Sequence, residues 1–434
     1  MRIKHWREMN ILCHLRQLHI AVKLRPPLKS EDERPGGGVW RSSGSATSRK
    51  LAMTILNRIM QVVLLPLALL QTVAASTALP PTTSTSIEQR PEKIAPYVPR
   101  FGRSRPIIAV VGENGSTVLV DFVVPYSVLV QSRSADVVSV ATQPGPLRLP
   151  PLQINPDSTV AQFDDRYPEG ADYVIVPAVM KNDDPKLIEW VTSQAGKGAT
   201  LVSICNGSLV LANAGLTRGH RATGHWSTYE SRVKNFPQTH WLKNTRYVAD
   251  GKIVSSAGIS AAFPISLALV EAIAGPERAE LLAKRLGVEY WGTAHDSDVF
   301  HIGFGDYVTG FSNTVLHIRQ DIGVPMAPDM DEITLALTAN AYADTMRGTV
   351  YGVSQSDAPV KTRGGLTFIP DRVAGSGKPM DIMLPDADAT PSARMQGRLI
   401  DDITRRYGAA TGRFVAIDWE YPATESAANK AATN

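Results

Sequence analysis

Cysteine is scarce in this chain: of 434 residues only Cys13 and Cys205 are cysteines. Removal of an N-terminal leader would leave one thiol, so a disulfide scaffold is excluded. A phosphate-binding loop and a dinucleotide fingerprint are also lacking; Gly303 to Gly305 and Gly364-Gly365 read as turn signals. Basic charge is lacking where nucleic acid would need it. The formal net charge is +4, yet residues 1–50 carry eleven Lys/Arg against four Asp/Glu, and residues 320–434 carry eleven against fifteen. A folded part without a basic stripe excludes a nucleic-acid binder. With 43% hydrophobic residues, the chain is rich enough in apolar side chains to bury a full core.

The N-terminal third organises itself by composition. Residues 1–52 are rich in Arg, Ser and Pro-Gly and predict no fold; with Met53 just downstream they read as a misassigned start. The apolar run Ile59 to Leu70 comes after Arg49, Lys50 and Arg58 and precedes Ala74, Ala75 and Ser76. That order predicts a signal peptide over 53–76 and export to the periplasm or medium, with an uncleaved membrane anchor as the alternative; the run falls short of the roughly 20 residues of a comfortable span. Residues 77–105, rich in Pro, Ser and Thr, predict an extended linker.

From Pro106 the pattern changes. Short apolar runs at 107–111, 137–141, 173–178 and 200–204 alternate with helical segments near 118–132, 185–196 and 207–214. β-rich runs between helices predict a doubly wound, mostly parallel α/β sheet over 106–291. A shortened echo comes next: residues 140–161 parallel 353–374, and 172–177 parallel 381–386. The echo has no cysteine and no room for a second elbow. It predicts a degenerate α/β lobe over 320–422, packed like a dimer partner within the chain, and then a disordered tail at 423–434. An unrelated α/β appendage is the alternative.

The segment at 199–216, ATLVSICNGSLVLANAGL, places Cys205 after an apolar strand and before a helix. This strand, turn, nucleophile, helix order predicts a nucleophile elbow, with the Asn206 backbone N–H as oxyanion donor and the helix dipole lowering the thiol pKa. The competing reading is an inert buried thiol. The stretch from Cys205 to Trp226, with its A-G-L turn, its R-A-T strand and His225 twenty residues after Cys205, resembles the DJ-one/PfpI superfamily of the class I glutamine amidotransferase-like (flavodoxin-like) fold. Asp121 and Pro125 match that superfamily's acidic segment. The resemblance covers about 106–291 and points to the branch of isonitrile hydratases and ligand domains of transcription regulators.

The resemblance implies a cysteine-dependent hydrolase or lyase acting through a Cys205 thiolate on a small electrophile. Asp121 would tune the thiolate, His225 would move protons, and the backbone of Asn206 and of Ala178 or Val179 would form the oxyanion site. It implies no cofactor, a small-molecule ligand, and a homodimer or an internal pseudo-dimer. The rival it also implies is a non-catalytic ligand-binding or redox-sensing module. The sequence departs from the family pattern at Ala178-Val179 (Gly-Gly in relatives), Asn206 (Thr in isonitrile hydratases), Val124 (Gly) and Gly224 (Thr). These changes predict a crowded oxyanion loop, altered specificity and a looser strand before His225. His295, Asp296, Asp298 and His301 cluster in HDSDVFH, where no geometry follows from the loop spacing and a solvated or dipole-satisfying role is favoured over a metal site; no metal is expected.

Overall fold

The structure, a computed structural model, describes residues 92–386 and 389–421. The expected leader, the signal peptide, most of the linker and the tail lie outside the described residues. Among the described residues no helix is long and apolar enough to cross a membrane.

The first lobe is built on strands β1 (Ile107–Gly112), β2 (Asp136–Ala141), β3 (Leu147–Leu149), β4 (Leu152–Asn155), β5 (Ser158–Thr159), β6 (Tyr173–Val176), β7 (Thr200–Ser203), β8 (Arg221–Ala222), β9 (His240–Trp241), β10 (Tyr247–Asp250) and β11 (Ile253–Ser256). Seven of them form one sheet in the order β10-β11-β7-β6-β1-β2-β5, parallel except for the β10–β11 hairpin. Its helices are α1 (Leu119–Ser132), α2 (Val160–Arg166), α3 (Pro185–Gly196), α4 (Gly207–Asn213), α5 (Tyr229–Asn235), α6 (Ala262–Ala274) and α7 (Pro276–Leu286).

Local chemistry sets these elements. In α3, Asp184 caps the helix by accepting from the Leu187 N–H (3.1 Å) and Pro185 opens it. Leu187, Trp190, Val191 and Gln194 then share its buried stripe. The sheet is covered on both faces, because alternate residues of β1 enter different cores. Ile108 and Val110 join Phe122 and Phe263, whereas Ile107, Ala109 and Val111 join Phe163, Leu187 and Trp190.

Segment 92–105, expected as linker, forms no strand or helix yet packs on this lobe. Ile94 is buried, the Glu92 carboxylate takes the Arg221 guanidinium at 2.6 Å and the Ala249 N–H at 2.9 Å, and Arg103 pairs with Asp172 at 3.0 Å. The folded part therefore begins upstream of Pro106.

Helix α8 (Phe304–Phe311) leads to the second lobe, with strands β12 (Gln320–Pro325), β13 (Gly348–Ser354), β14 (Val360–Lys361), β15 (Thr367–Phe368), β16 (Arg372–Val373) and β17 (Ile382–Met383) and helices α9 (Glu332–Asp344), α10 (Met395–Tyr407) and α11 (Ala409–Asp418). Its sheet runs β16-β13-β12-β17, all parallel. The unit β12-α9-β13 repeats β1-α1-β2, and β17 stands where β6 stands. The chain then passes to α10 with no counterpart of β7 or α4. The lobes are joined through α1 against α9 and through a mixed sheet β14-β15-β4-β3, in which Phe368 pairs with Ile154. The Glu332 carboxylate, buried between them, accepts from Ser127 Oγ of α1 (2.5 Å) and from the Gly364 N–H (3.0 Å).

Candidate active site

The turn after β7 is held by backbone. The Ile204 N–H donates to Val176 O (3.0 Å), extending the β6–β7 pairing, and the Gly207 N–H returns to Ile204 O (2.8 Å). Closing so tight a turn forces Cys205 to φ +56°, a left-handed conformation that a non-glycine residue adopts only when its surroundings impose it. Gly207 is required here, since a Cβ would lie 2.0 Å from Val176 O. The result is the expected elbow, with Ser208 Oγ closing it onto Cys205 O at 3.1 Å.

Asp121 lies in the first turn of α1, fully buried. Its Oδ2 accepts the Ala178 N–H at 3.2 Å. The Val118 N–H donates to Ala178 O (2.8 Å) and the Met180 N–H to Ser116 O (3.0 Å), so the 177–180 loop is pinned to the start of α1. Ala178 thus differs from its expected role as an oxyanion donor: its N–H is already engaged by Asp121. The Val179 N–H takes part in none of these bonds.

The Cys205 thiol also departs from expectation. Burial pushes it well above the ordinary thiol range, and the Asp121 and Glu420 charges push the same way; the Asn206 N–H, hydrogen-bonded to it, pulls down but does not prevail. Helix α4 has only seven residues, too short a dipole to offset full desolvation. Burial thus favours the thiol over the thiolate.

His225 caps the short turn Trp226–Thr228. Its Nε2 lies 3.0 Å from Asp418 O; a carbonyl only accepts, so Nε2 carries the proton. Its Nδ1 then accepts, from the Ser227 N–H (3.3 Å) and from Ser227 Oγ–H (2.7 Å). The strand before it is not loose. Arg232, buried, donates to Gly224 O (3.2 Å), to His225 O (2.8 Å) and to Thr228 Oγ1. It occupies the space that a side chain at 224 would need, since a Cβ there would meet the Arg232 guanidinium at 2.8 Å.

Cys205, Asn206, Ala178, Val179 and His225 share the wall of one cavity of about 330 Å³. Asn182, Asn213, Asn235, Ser227, Thr228 and Ser231 supply its polar lining, and no Lys or Arg is among its lining residues. Asp121 sits behind the wall at the Ala178 loop.

Residues 108–272 match the model of the DJ-1/PfpI family. This chain carries a DJ-1/PfpI domain. The domain is 33% identical over 109 residues to the isonitrile hydratase of Pseudomonas putida, a match covering 25% of this chain and 45% of that protein. It is 36% identical over 95 residues to the HTH-type transcriptional regulator CdhR of Pseudomonas aeruginosa, covering 22% and 28%. The chain thus spans less than half the length of these two relatives. The crystal structure of Drosophila melanogaster DJ-1beta aligns over 43% of this chain and all of that one, with 22% identity and a TM-score of 0.39. The family includes an enzyme and transcriptional regulators.

What sequence reasoning missed comes from outside the DJ-1/PfpI domain. The end of α11 and the residues after it reach the site: the Trp226 indole N–H donates to Ile417 O (3.0 Å), Asp418 O takes the His225 proton, and the Trp226 N–H donates to Glu420 Oε1 (2.6 Å). The His295 side chain, for which a solvated or dipole-satisfying role was expected, is 2% exposed, with its Nε2 2.8 Å from Glu420 Oε2. No group of three or more His, Cys, Asp or Glu fit to hold a metal occurs among the described residues.

Proposed function

We propose that this protein is an exported cysteine-dependent enzyme of the DJ-1/PfpI type, a hydrolase or hydratase/lyase acting on a small, uncharged electrophile. The observation that carries this reading is Cys205 held at φ +56° in the wall of the cavity, with the Asn206 N–H on its sulfur. Strain of this kind persists where the surroundings over-determine it, and an inert core cysteine has no use for it. A lining of asparagines and hydroxyls with His225 and Asp418 and without Lys or Arg offers no Lys or Arg counter-charge to a carboxylate or phosphate and suits a polar ligand without negative charge.

For an acyl substrate, the thiol proton passes to Asp121 as sulfur attacks the carbonyl carbon. The carbonyl π pair moves to oxygen and is met by the Asn206 N–H. Collapse re-forms the carbonyl and expels the leaving group, which takes the proton from Asp121. Water then attacks the thioester, its proton passing to Ser227 Oγ while the Ser227 proton moves to His225 Nδ1; the tetrahedral intermediate collapses, the thiolate leaves with the C–S bond pair, and the proton held on His225 returns through Ser227 to the sulfur. Because the thiol rests protonated, chemistry needs this transfer and does not draw on a standing thiolate.

A second reading is a non-catalytic ligand-binding or redox-sensing module, favoured by the raised thiol and by the engagement of the Ala178 N–H with Asp121. The test is a panel of an isonitrile, a 2-oxoaldehyde and 4-nitrophenyl acetate, each with wild type and Cys205→Ser. Turnover of any one that vanishes in Cys205→Ser supports the enzyme. Saturable binding of such ligands without turnover in either protein establishes the second reading.

A further inference from the structure

We propose that Glu420, supplied by the second lobe, is a positioning residue of the Cys205 site: it fixes the 225–228 turn and is the counter-charge for His225 when that ring accepts a proton. This rests on the enzymatic reading above. Glu420 has no solvent exposure and stands at φ +51°. Every contact of its carboxylate faces the site. Oε1 accepts the Trp226 N–H at 2.6 Å and stands 3.9 Å from His225 Nε2, while Oε2 accepts from His295 Nε2 at 2.8 Å.

Its own backbone is clamped, since Ser260 donates its N–H to Trp419 O (2.9 Å) and its Oγ–H to Glu420 O (2.7 Å). Gly258 leaves room for both side chains: a Cβ there would lie 2.8 Å from His225 Cδ2 and 3.0 Å from the Glu420 carboxyl carbon. Burial disfavours the charge, but His295, His225 and the Trp226 N–H together outweigh it and hold the carboxyl below its ordinary range. The other charged or titratable groups facing it are Arg232, Asp418 and Cys205.

The geometry assigns a step to this charge. The hydrogen bonds put the His225 Nε2–H on Asp418 O and leave Nδ1 facing Ser227. When Ser227 passes the hydrolytic proton to Nδ1, the ring becomes an imidazolium while buried. Asp418 O offers it only a dipole; Glu420, 3.9 Å from Nε2, offers a full negative charge, which at that range between buried groups is strongly favourable. Glu420 therefore supports breakdown of the thioester; because its charge also pushes the Cys205 thiol up, removing it does not slow thioester formation, which runs through Asp121.

The experiment is pre-steady-state hydrolysis of 4-nitrophenyl acetate by the full chain, comparing wild type, Glu420→Gln and Glu420→Asp, with melting temperature as a control for folding. Glu420→Gln keeps shape and removes charge. The expected result is an intact burst of nitrophenol with a steady-state rate about a hundredfold lower, at the lower end of what positioned proton transfer contributes, and partial recovery in Glu420→Asp. Burst and steady state that fall together, or that both stay unchanged, overturn the proposal.

If wild type turns over none of the three substrates in a Cys205-dependent way, the functional reading fails; in that case, or where the ester gives no burst, Glu420 is judged from the pH dependence of Cys205 alkylation by iodoacetamide. Removing a nearby buried anion must then move the alkylation curve of Glu420→Gln to lower pH. An unmoved curve refutes a role for the charge. A variant that does not fold is replaced by His295→Asn, which takes away the Glu420 partner without touching the turn, and is read by the same two measurements.

Discussion

The two lobes use one βαβ plan and diverge after the third strand. In the first, β6 leads through α3 to β7, the Cys205 elbow and α4; in the second, β17 leads straight to α10. Both lobes bury a parallel sheet against helices, so the shared part is scaffold. The added β-α unit supplies the left-handed turn, the free thiol and the Asn206 N–H beside it. The exchange is not one-sided. The second lobe has no nucleophile, yet it sends Asp418 O and Glu420 into the site of the first. The walls of the Cys205 site therefore come from both lobes.

That comparison can be broken most forcefully at the elbow. Cys205→Ser is expected to abolish alkylation and any turnover, a loss of at least about a thousandfold, with little change in melting temperature. Retained activity would place the chemistry elsewhere. Gly207→Ala drives a Cβ to 2.0 Å from Val176 O; about 3 kcal/mol of destabilisation is expected from such overpacking, with loss of thiol reactivity, measured by denaturant unfolding and mass spectrometry. The corresponding test of the second lobe is Phe368→Ala. Phe368 is fully buried on the strand that joins the lobes, and about 3 to 4 kcal/mol should be lost. If the lobes are independent, site alkylation will be unaffected; if they function as a pair, it will change with stability.

A smaller effect separates the lobes by pH. The Cys205 thiol is raised by burial, so the stability it contributes is complete below the ordinary thiol range and is lost as pH rises through and above that range. Glu420 is held low, so its contribution is present above the ordinary carboxylate range and is lost as pH falls below it. Melting curves across pH should show Cys205→Ser flattening the alkaline limb and Glu420→Gln the acid limb. Either substitution flattening both limbs would mean that the lobes do not titrate separately. Smallest of all, sedimentation should return a monomer, because the inner partner leaves the first lobe's α1 covered by α9. A dimer would show that the second lobe has not replaced a subunit.

The parts legible in the sequence were those written locally. Apolar alternation marked β1, β2, β6 and β7 within a residue or so of their bounds, and the elbow announced itself because strand, cysteine and Gly207 stand so close together. Cys205, Asn206 and His225 were found from one short stretch. Glu420 was not, because it meets Trp226 across 194 residues and no periodicity spans that distance. The pairing of His295 with Glu420 was not legible either, because no geometry follows from the loop spacing of HDSDVFH; the two meet only in the fold, 125 residues apart. The raised thiol was missed for a related reason. A helix N-terminus can be read from sequence, whereas the degree of desolvation that outweighs it comes from tertiary packing. Arg232 filling the space beside Gly224 belongs to the same class, a long side chain reaching back eight residues to replace one that is absent.

The link between His225 and Asp418 spans 193 residues, and synthesis proceeds from the N-terminus. A growing chain therefore presents its cysteine long before the residues that complete the pocket have been joined. During that interval His225 lacks Asp418 O and the 225–228 turn lacks the Glu420 carboxylate. In the proposed reaction a truncated chain could be acylated yet would clear the acyl group poorly, so that completing the chain is the step that allows turnover.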